Sequence, residues 1–433
     1  MEVSMSESVI SLPRLKQFSA IVWVVLASSF FVRGTYYAVW PFLSVILYKK
    51  YQLSAAEIGL ILTSTTLIST LIGVYIGNLS DRFGRNTIMV SAVAMGVLAY
   101  ALLAVADNLW VFVATIFFAT LPKSLWDSPS KAAVADSLDD EKTRELALQS
   151  NYFVTNVGAA VGPLLGVWAG FTGQQSSFMF TSIAYFGVLI AMIMVIRKSK
   201  SSERKQQLSE HNFAQTLRIL ATDHMFLVLT LANIIISFVY GHLDSSLIQY
   251  LTRADAPELI ELVASMVVLN AVTIVILQFP LLKLMENLAV NTRIQIGIGL
   301  LAVSQLMYAY NPIDFYAGWL IATFVLSVGE AIMFPNTNVQ IDQMAPAHLR
   351  GSYFGAASLY AVGFGLSPLI GGLILDSLSG QALFIITFVL SVITAGLYFV
   401  SKRLSRPDFS CLDSSGEKLK GENAPGGTSN KAC

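Results

Sequence analysis

The chain has 433 residues, of which 55% are hydrophobic and 12% charged, with 27 Lys and Arg against 27 Asp and Glu. A soluble globular chain is about 25% charged, so the deficit points to lipid, where each exposed charge is costly. Zero net charge offers no basic surface for nucleic acid. Two tail cysteines, Cys411 and Cys433, and four scattered histidines exclude a disulfide framework and leave no spacing for a metal site or a haem.

Residues 1–17 are polar. The apolar run that follows, about 18–47, is too long for the ~7–15-residue core of a cleaved signal and reads as a membrane helix that stays. A span needs ~20 mostly apolar residues. Twelve such runs occur, near 19–47, 57–78, 87–106, 109–134, 148–172, 176–196, 225–250, 259–282, 293–311, 315–339, 352–375 and 381–400. They divide into six within 18–196 and six within 225–400, separated by a polar, basic linker at 197–224. The tail, 401–433, is rich in Gly, Ser and Lys with no apolar period and is expected to be disordered.

Lys and Arg counts set the orientation. With the N-terminus, linker and tail in the cytoplasm, inside segments carry 22 of the 27 basic residues. Outside loops carry three, Lys49, Lys50 and Arg253, and Arg33 and Lys123 lie within spans. A multi-pass protein of the plasma (inner) membrane is expected, with both termini cytoplasmic.

The halves repeat. Pro129, Asp136 and Arg144 recur 206 residues later as Pro335, Asp342 and Arg350. Gly158-x3-Gly162-Pro163-x2-Gly166 recurs 205 residues later as Gly363-x3-Ser367-Pro368-x2-Gly371. The predicted fold class is therefore an all-α membrane protein of twelve transmembrane helices in two pseudo-symmetric six-helix bundles, with a site between them.

The stretch after the second run reads Gly77-Asn78-Leu79-Ser80-Asp81-Arg82-Phe83-Gly84-Arg85. It matches the G-x3-D-R-x-G-R signature of the major facilitator superfamily, which the chain resembles from about residue 18 to 400. Glycines permit a tight turn against a neighbouring helix, and Asp81 can accept backbone hydrogens at a helix N-terminus. The resemblance implies the major facilitator fold and a cytoplasmic gate in which Gly77, Asp81, Arg82, Gly84 and Arg85 work with Asp136 at the end of span 4. The second-half counterpart, Lys283 to Arg293, lacks the signature, so an asymmetric gate is expected.

In span 5, Gly158, Gly162, Pro163 and Gly166 permit close approach and a kink. They resemble the helix-5 motif of drug/proton antiporters, with Val167 and Gln149 standing where those have Gly; ordinary close packing is the plainer reading. Span 4 lacks the Arg that many antiporters carry there.

Ionisable residues away from span ends fall only on spans 1, 4, 7 and 10: Arg33, Lys123, Asp127, His242, Asp244 and Glu330. Charge inside a bilayer faces water or a partner, so these residues mark a polar cavity. At ~1.5 Å per residue, Arg33, Lys123 and Glu330 fall near the midplane. Lys123 and Asp127, at i,i+4, can pair on one helix. Arg33 heads a face with Tyr36, Tyr37 and Trp40 that suits an organic or anionic substrate. Substrate contacts are expected from Arg33, Tyr36, Tyr37, Trp40, Lys123, Asp127, His242 and Glu330, and proton coupling from Glu330, Asp127 or Asp244.

There is no phosphate-binding loop, so an ion gradient is the expected energy source. The expected activity is proton-coupled efflux of a drug or a secreted metabolite such as a siderophore. Import of a peptide or organic acid is the alternative, and a membrane receptor or membrane enzyme the reading from another class. The expected partners are the lipid bilayer, a small-molecule substrate and protons, the expected state a monomer, with no cofactor and no metal.

Overall fold

The computed structural model describes residues 8–39, 43–53, 55–168, 174–199, 213–243 and 245–407. Trp40, Asp244, residues 1–7, linker residues 200–212 and tail residues 408–433 lie outside the described residues. A short helix, α1 (Leu12–Lys16), precedes α2 (Ala20–Val39), α3 (Leu43–Tyr51), α4 (Ala55–Phe83), α5 (Arg85–Val105), α6 (Leu109–Asp136), α7 (Glu141–Trp168) and α8 (Phe178–Ser199). The linker contributes α9 (Phe213–Thr222). The second half holds α10 (His224–Gly241), α11 (Ser246–Arg253), α12 (Leu259–Met285), α13 (Val290–Tyr310), α14 (Tyr316–Met344), α15 (Arg350–Ala357), α16 (Tyr360–Ser377) and α17 (Gly380–Ser401).

Among the described residues, ten helical stretches are long and apolar enough to cross a membrane. The more polar α7 and α13 have 28 and 21 residues. At ~1.5 Å per residue even the shorter spans ~32 Å, matching a ~30 Å hydrocarbon core. Both pack on long neighbours, α7 on α2 and α13 on α14, and with them the helices fit a twelve-span fold. Spans 7 and 11 are each broken, α10 from α11 and α15 from α16.

The buried apolar residues form a main core in each half, with a smaller cluster around Ile76, Ile88 and Leu125 in the first. Val22, Met89, Phe112 and Phe178 anchor the first. Leu229, Ile298, Trp319 and Phe384 anchor the second. Large side chains such as Leu60, Leu98, Leu284 and Leu369 point outward, a surface suited to lipid.

Local chemistry moves several predicted boundaries. The signature is not a loop: α4 continues through it to Phe83. Only Gly84, at φ 92°, interrupts the chain before α5, in a conformation that favours glycine. Span 5 begins earlier than expected, at Glu141, because Asp140 accepts the Thr143 N–H at 2.8 Å and caps the helix. Asn108 caps α6.

Small residues set the packing of spans 5 and 11. A methyl group added at Gly158 would lie 2.6 Å from the Phe30 carbonyl, and one at Gly162 would strike the Gly34 carbonyl, both on α2. Pro163 and Gly166 continue the same helix. In the second half Gly363 meets the backbone of α10 at Ile234 in the same way. The two glycine motifs thus hold α7 against α2 and α16 against α10.

Candidate functional site

Both described termini lie at one end of the molecule, together with the Gly77–Arg85 signature. Ser8 and the Val9 amide donate to Glu286 at 2.7 and 3.0 Å, and Arg14 pairs with Asp140. At the other terminus Arg406 bonds Asp223 at 2.9 Å and the Met344 carbonyl at 2.6 Å.

This end is closed by ion pairs crossing from bundle to bundle. Arg144 Nε lies 3.0 Å from Asp342 Oδ2, and Arg350 Nη1 lies 2.7 Å from Asp136 Oδ1. Arg350 Nε is also 3.1 Å from Asp342 Oδ1. Asp81, fully buried, accepts the Gly351 N–H at 2.9 Å, the Ser352 N–H at 2.6 Å and the Ser352 hydroxyl at 2.5 Å. Its carboxylate therefore sits on the N-terminus of α15, where the helix dipole and free amides favour negative charge. Arg85 pairs with Asp81 and reaches Asp136 Oδ2 at 3.1 Å. Gly77 lets the backbones touch: an added methyl would strike the Gly351 carbonyl and lie 2.9 Å from Gly355 Cα. Gly84 supplies the turn that places Arg85, whereas Arg82 points outward, over the Phe83 ring at 5.7 Å.

The expected asymmetry holds for only one layer. The Asp136–Arg350 and Asp342–Arg144 pairs are symmetric. Among the described residues the Asp81–Arg85 layer has no copy; in the first turn of α13, Arg293 pairs with Glu145 of α7 and donates to Asn336 at 3.2 Å.

The centre holds the second group of charges. Arg33 lies over the Tyr37 ring at 5.1 Å and Lys123 over the Tyr36 ring at 5.9 Å, and the two rings meet edge to face at 5.2 Å. Lys123 is surrounded by protein yet open to solvent, so it faces an internal water-accessible space. The Lys123–Asp127 pair expected from spacing does not form. Asp127 instead pairs with Lys131, one turn on, at 2.8 Å. The i,i+4 rule allows either partner, and Lys123 turns toward Tyr36. Tyr360 of α16 closes the group from the second bundle, within electrostatic reach of Arg33, Asp127 and Lys131.

Glu330 is buried on α14. One oxygen accepts from Asn270 of α12 at 2.7 Å, the other from the Tyr152 hydroxyl of α7 at 3.2 Å. The carboxyl thus bridges the two bundles. His242 follows α10 and packs on Gly371 of α16. Its Nδ1 lies 2.8 Å from the Ser246 hydroxyl, and its Nε2 is buried without a hydrogen-bond partner.

A profile of the Major Facilitator Superfamily matches residues 25–361. The chain belongs to the major facilitator superfamily. The uncharacterized MFS-type transporter YqjV of Bacillus subtilis is 26% identical, aligning over 89% of this chain and 94% of its own. A Na(+), Li(+), K(+)/H(+) antiporter of Planococcus maritimus is 22% identical, over 82% and 90%. Multidrug resistance protein MdtH of Salmonella typhimurium is also 22% identical, over 80% and 84%. The crystal structure of the human organic anion transporter MFSD10 superposes with a TM-score of 0.73 at 17% identity, covering 90% of this chain and all of that one; this likeness concerns the fold.

In this superfamily member, sequence reading missed Lys131, Tyr152, Asn270 and Tyr360 at the centre. Lys131 lies near the end of the predicted span 109–134, and the other three carry no charge. It also did not pair Arg144 or Arg350 with their aspartates, although the 206-residue repeat marks all four.

Proposed function

We propose that this member of the superfamily is a secondary active transporter that exports a small organic solute, a drug or a secreted metabolite such as a siderophore, by proton-coupled alternating access. The observation that carries the reading is the exchange of partners at the closed end, where each half's arginine holds the other half's aspartate. A seal made of side-chain pairs between rigid bundles can part as a unit. Meanwhile Lys123 and Asp127 stay open to solvent. One sealed end and one accessible centre are what rocking bundles need.

Glu330, Asp127 and Asp244 are the candidates for carrying the proton. Of these Glu330 is favoured, because its partners Tyr152 and Asn270 belong to different bundles and rocking would change its surroundings. An inward proton carries ~2.3 kcal/mol per 100 mV of membrane potential. The names of the Planococcus and Salmonella relatives, a cation/proton antiporter and a multidrug resistance protein, support export. The Arg33, Tyr36 and Tyr37 face favours the second reading, import of a small solute such as a peptide or organic acid. The proposed setting is the plasma membrane, as a monomer with both termini cytoplasmic and bundles at 18–196 and 225–400.

The test is reconstitution in liposomes with an imposed pH gradient. Solute movement opposite to the proton, collapsing with a protonophore, is expected. Movement in the same direction as the proton would select the import reading. Absence of counterflow across a broad solute panel would favour a receptor or enzyme.

A further inference from the structure

The central charges do not balance on the first bundle. Arg33, Lys123 and Lys131 stand against one carboxylate, Asp127, and that carboxylate is held by Lys131 at 2.8 Å. Among the described residues no carboxylate lies within 4.0 Å of Arg33 or Lys123. Arg33 Nε is buried without a hydrogen-bond partner, and Lys123 faces the internal water-accessible space. The two cations sit on a single tyrosine pair and repel each other across it. A tyrosine face attracts a cation but accepts no hydrogen bond as a carboxylate would. An unpaired cation inside a protein is costly, and two neighbouring ones are costlier. An anion placed between them would relieve both burdens.

We propose that Arg33 and Lys123 recognise the anionic group of a planar organic acid, with the Tyr36 and Tyr37 rings against its apolar body. The guanidinium supplies a planar fork suited to a carboxylate, and the ammonium supplies a second, mobile donor. Lys131 takes no direct part, because its charge is spent on Asp127. Tyr360 covers the site from the second bundle. This assignment deepens the transport reading, on which it rests for the route of the ligand, though not for its affinity.

The experiment uses the full chain in detergent or nanodiscs and four matched probes: naphthalene-2-carboxylate, naphthalene-2-sulfonate, 2-naphthylmethanol and 2-naphthylmethylammonium. Binding is read by fluorescence titration, and movement by counterflow in liposomes. The carboxylate is expected to bind at least about tenfold more tightly than the alcohol, and the ammonium most weakly. Lys123→Gln, at a position open to solvent, should fold normally and cut carboxylate affinity about tenfold while leaving the alcohol unchanged. Arg33→Lys should lose less than Arg33→Gln. Equal or tighter binding of the alcohol or the ammonium would overturn the proposal, as would unchanged carboxylate affinity in Lys123→Gln or no saturable binding by any probe. A carboxylate that binds through Lys123 but gives no counterflow would leave the anion site standing and count against transport. Counterflow of the alcohol or ammonium without carboxylate preference would do the reverse.

Discussion

Arg144 donates to Asp342 at 3.0 Å across the bundle interface, and its repeat partner Arg350 returns the contact to Asp136 at 2.7 Å. Each half therefore completes the other's ion pair, and neither pair survives separation of the bundles. Asp342 is almost fully buried and Asp136 about a quarter exposed, and each also has an arginine of its own half, Arg350 and Arg85, so parting the bundles weakens but does not remove their compensation.

Arg350→Ala should therefore open this end. Losing one partner of a buried pair costs about 3–5 kcal/mol. Discounted for the exposure of Asp136 and for its remaining partner Arg85, a shift of ~1.4 kcal/mol is expected, or about tenfold in the ratio of open to closed. Spin labels at Arg82 and Leu288, both exposed and on opposite bundles, should report a longer distance. Arg350→Lys, which keeps the charge facing Asp136 and Asp342, should keep much of the short one. An unchanged distance in Arg350→Ala would show that the pair does not hold the end shut.

Gly77→Ala should open the same end without touching a charge. The new methyl would meet the Gly351 carbonyl, backbone that cannot swing away. The spin-label distance should lengthen with high salt or low salt alike, because the cause is steric. A variant that keeps the short distance would mean that the helices slide to make room.

Glu330→Gln should abolish gradient-driven flux yet retain substrate binding at zero gradient. Glutamine keeps an acceptor for Tyr152 or Asn270 but cannot titrate. Full gradient-driven flux in liposomes would move the proton to Asp127 or Asp244.

The strap formed by Arg14 and Asp140 should loosen in acid. The Thr143 hydroxyl, more than its amide or Arg14, holds the Asp140 carboxyl below its ordinary value. A depressed carboxyl contributes stability above its unfolded value, ~3.9, and loses it as pH falls through the lower folded value. Arg14, buried now, should become cleavable by an acid-tolerant protease below about pH 4, and at neutral pH in Asp140→Asn. Equal protection of Arg14 in that variant would show that the strap holds by apolar contacts such as Val9.

A reporter active only outside the cytoplasm, attached after Ser199, should be silent. The basic residues of the linker, Arg197, Lys198, Lys200, Arg204, Lys205 and Arg218, set this expectation. Strong activity there would invert the orientation.

The sequence by itself determined the class and the repeat, because lipid demands long apolar helices and because a duplicated half leaves its special residues in register. It also located the charges of the centre, since a charge inside an apolar run must face water or a partner. Only the tertiary structure decided the partners. Asp127 has Lys123 and Lys131 each four residues away, and one helix alone cannot choose between them. Tyr36, reached by Lys123, settles it from another helix. Asp136 and Asp342 meet the arginine of the opposite half because the bundles face each other across an axis, a relation that spacing along the chain does not contain. Glu330 meets Tyr152 and Asn270 for the same reason: bonds between helices far apart in sequence depend on how the helices pack.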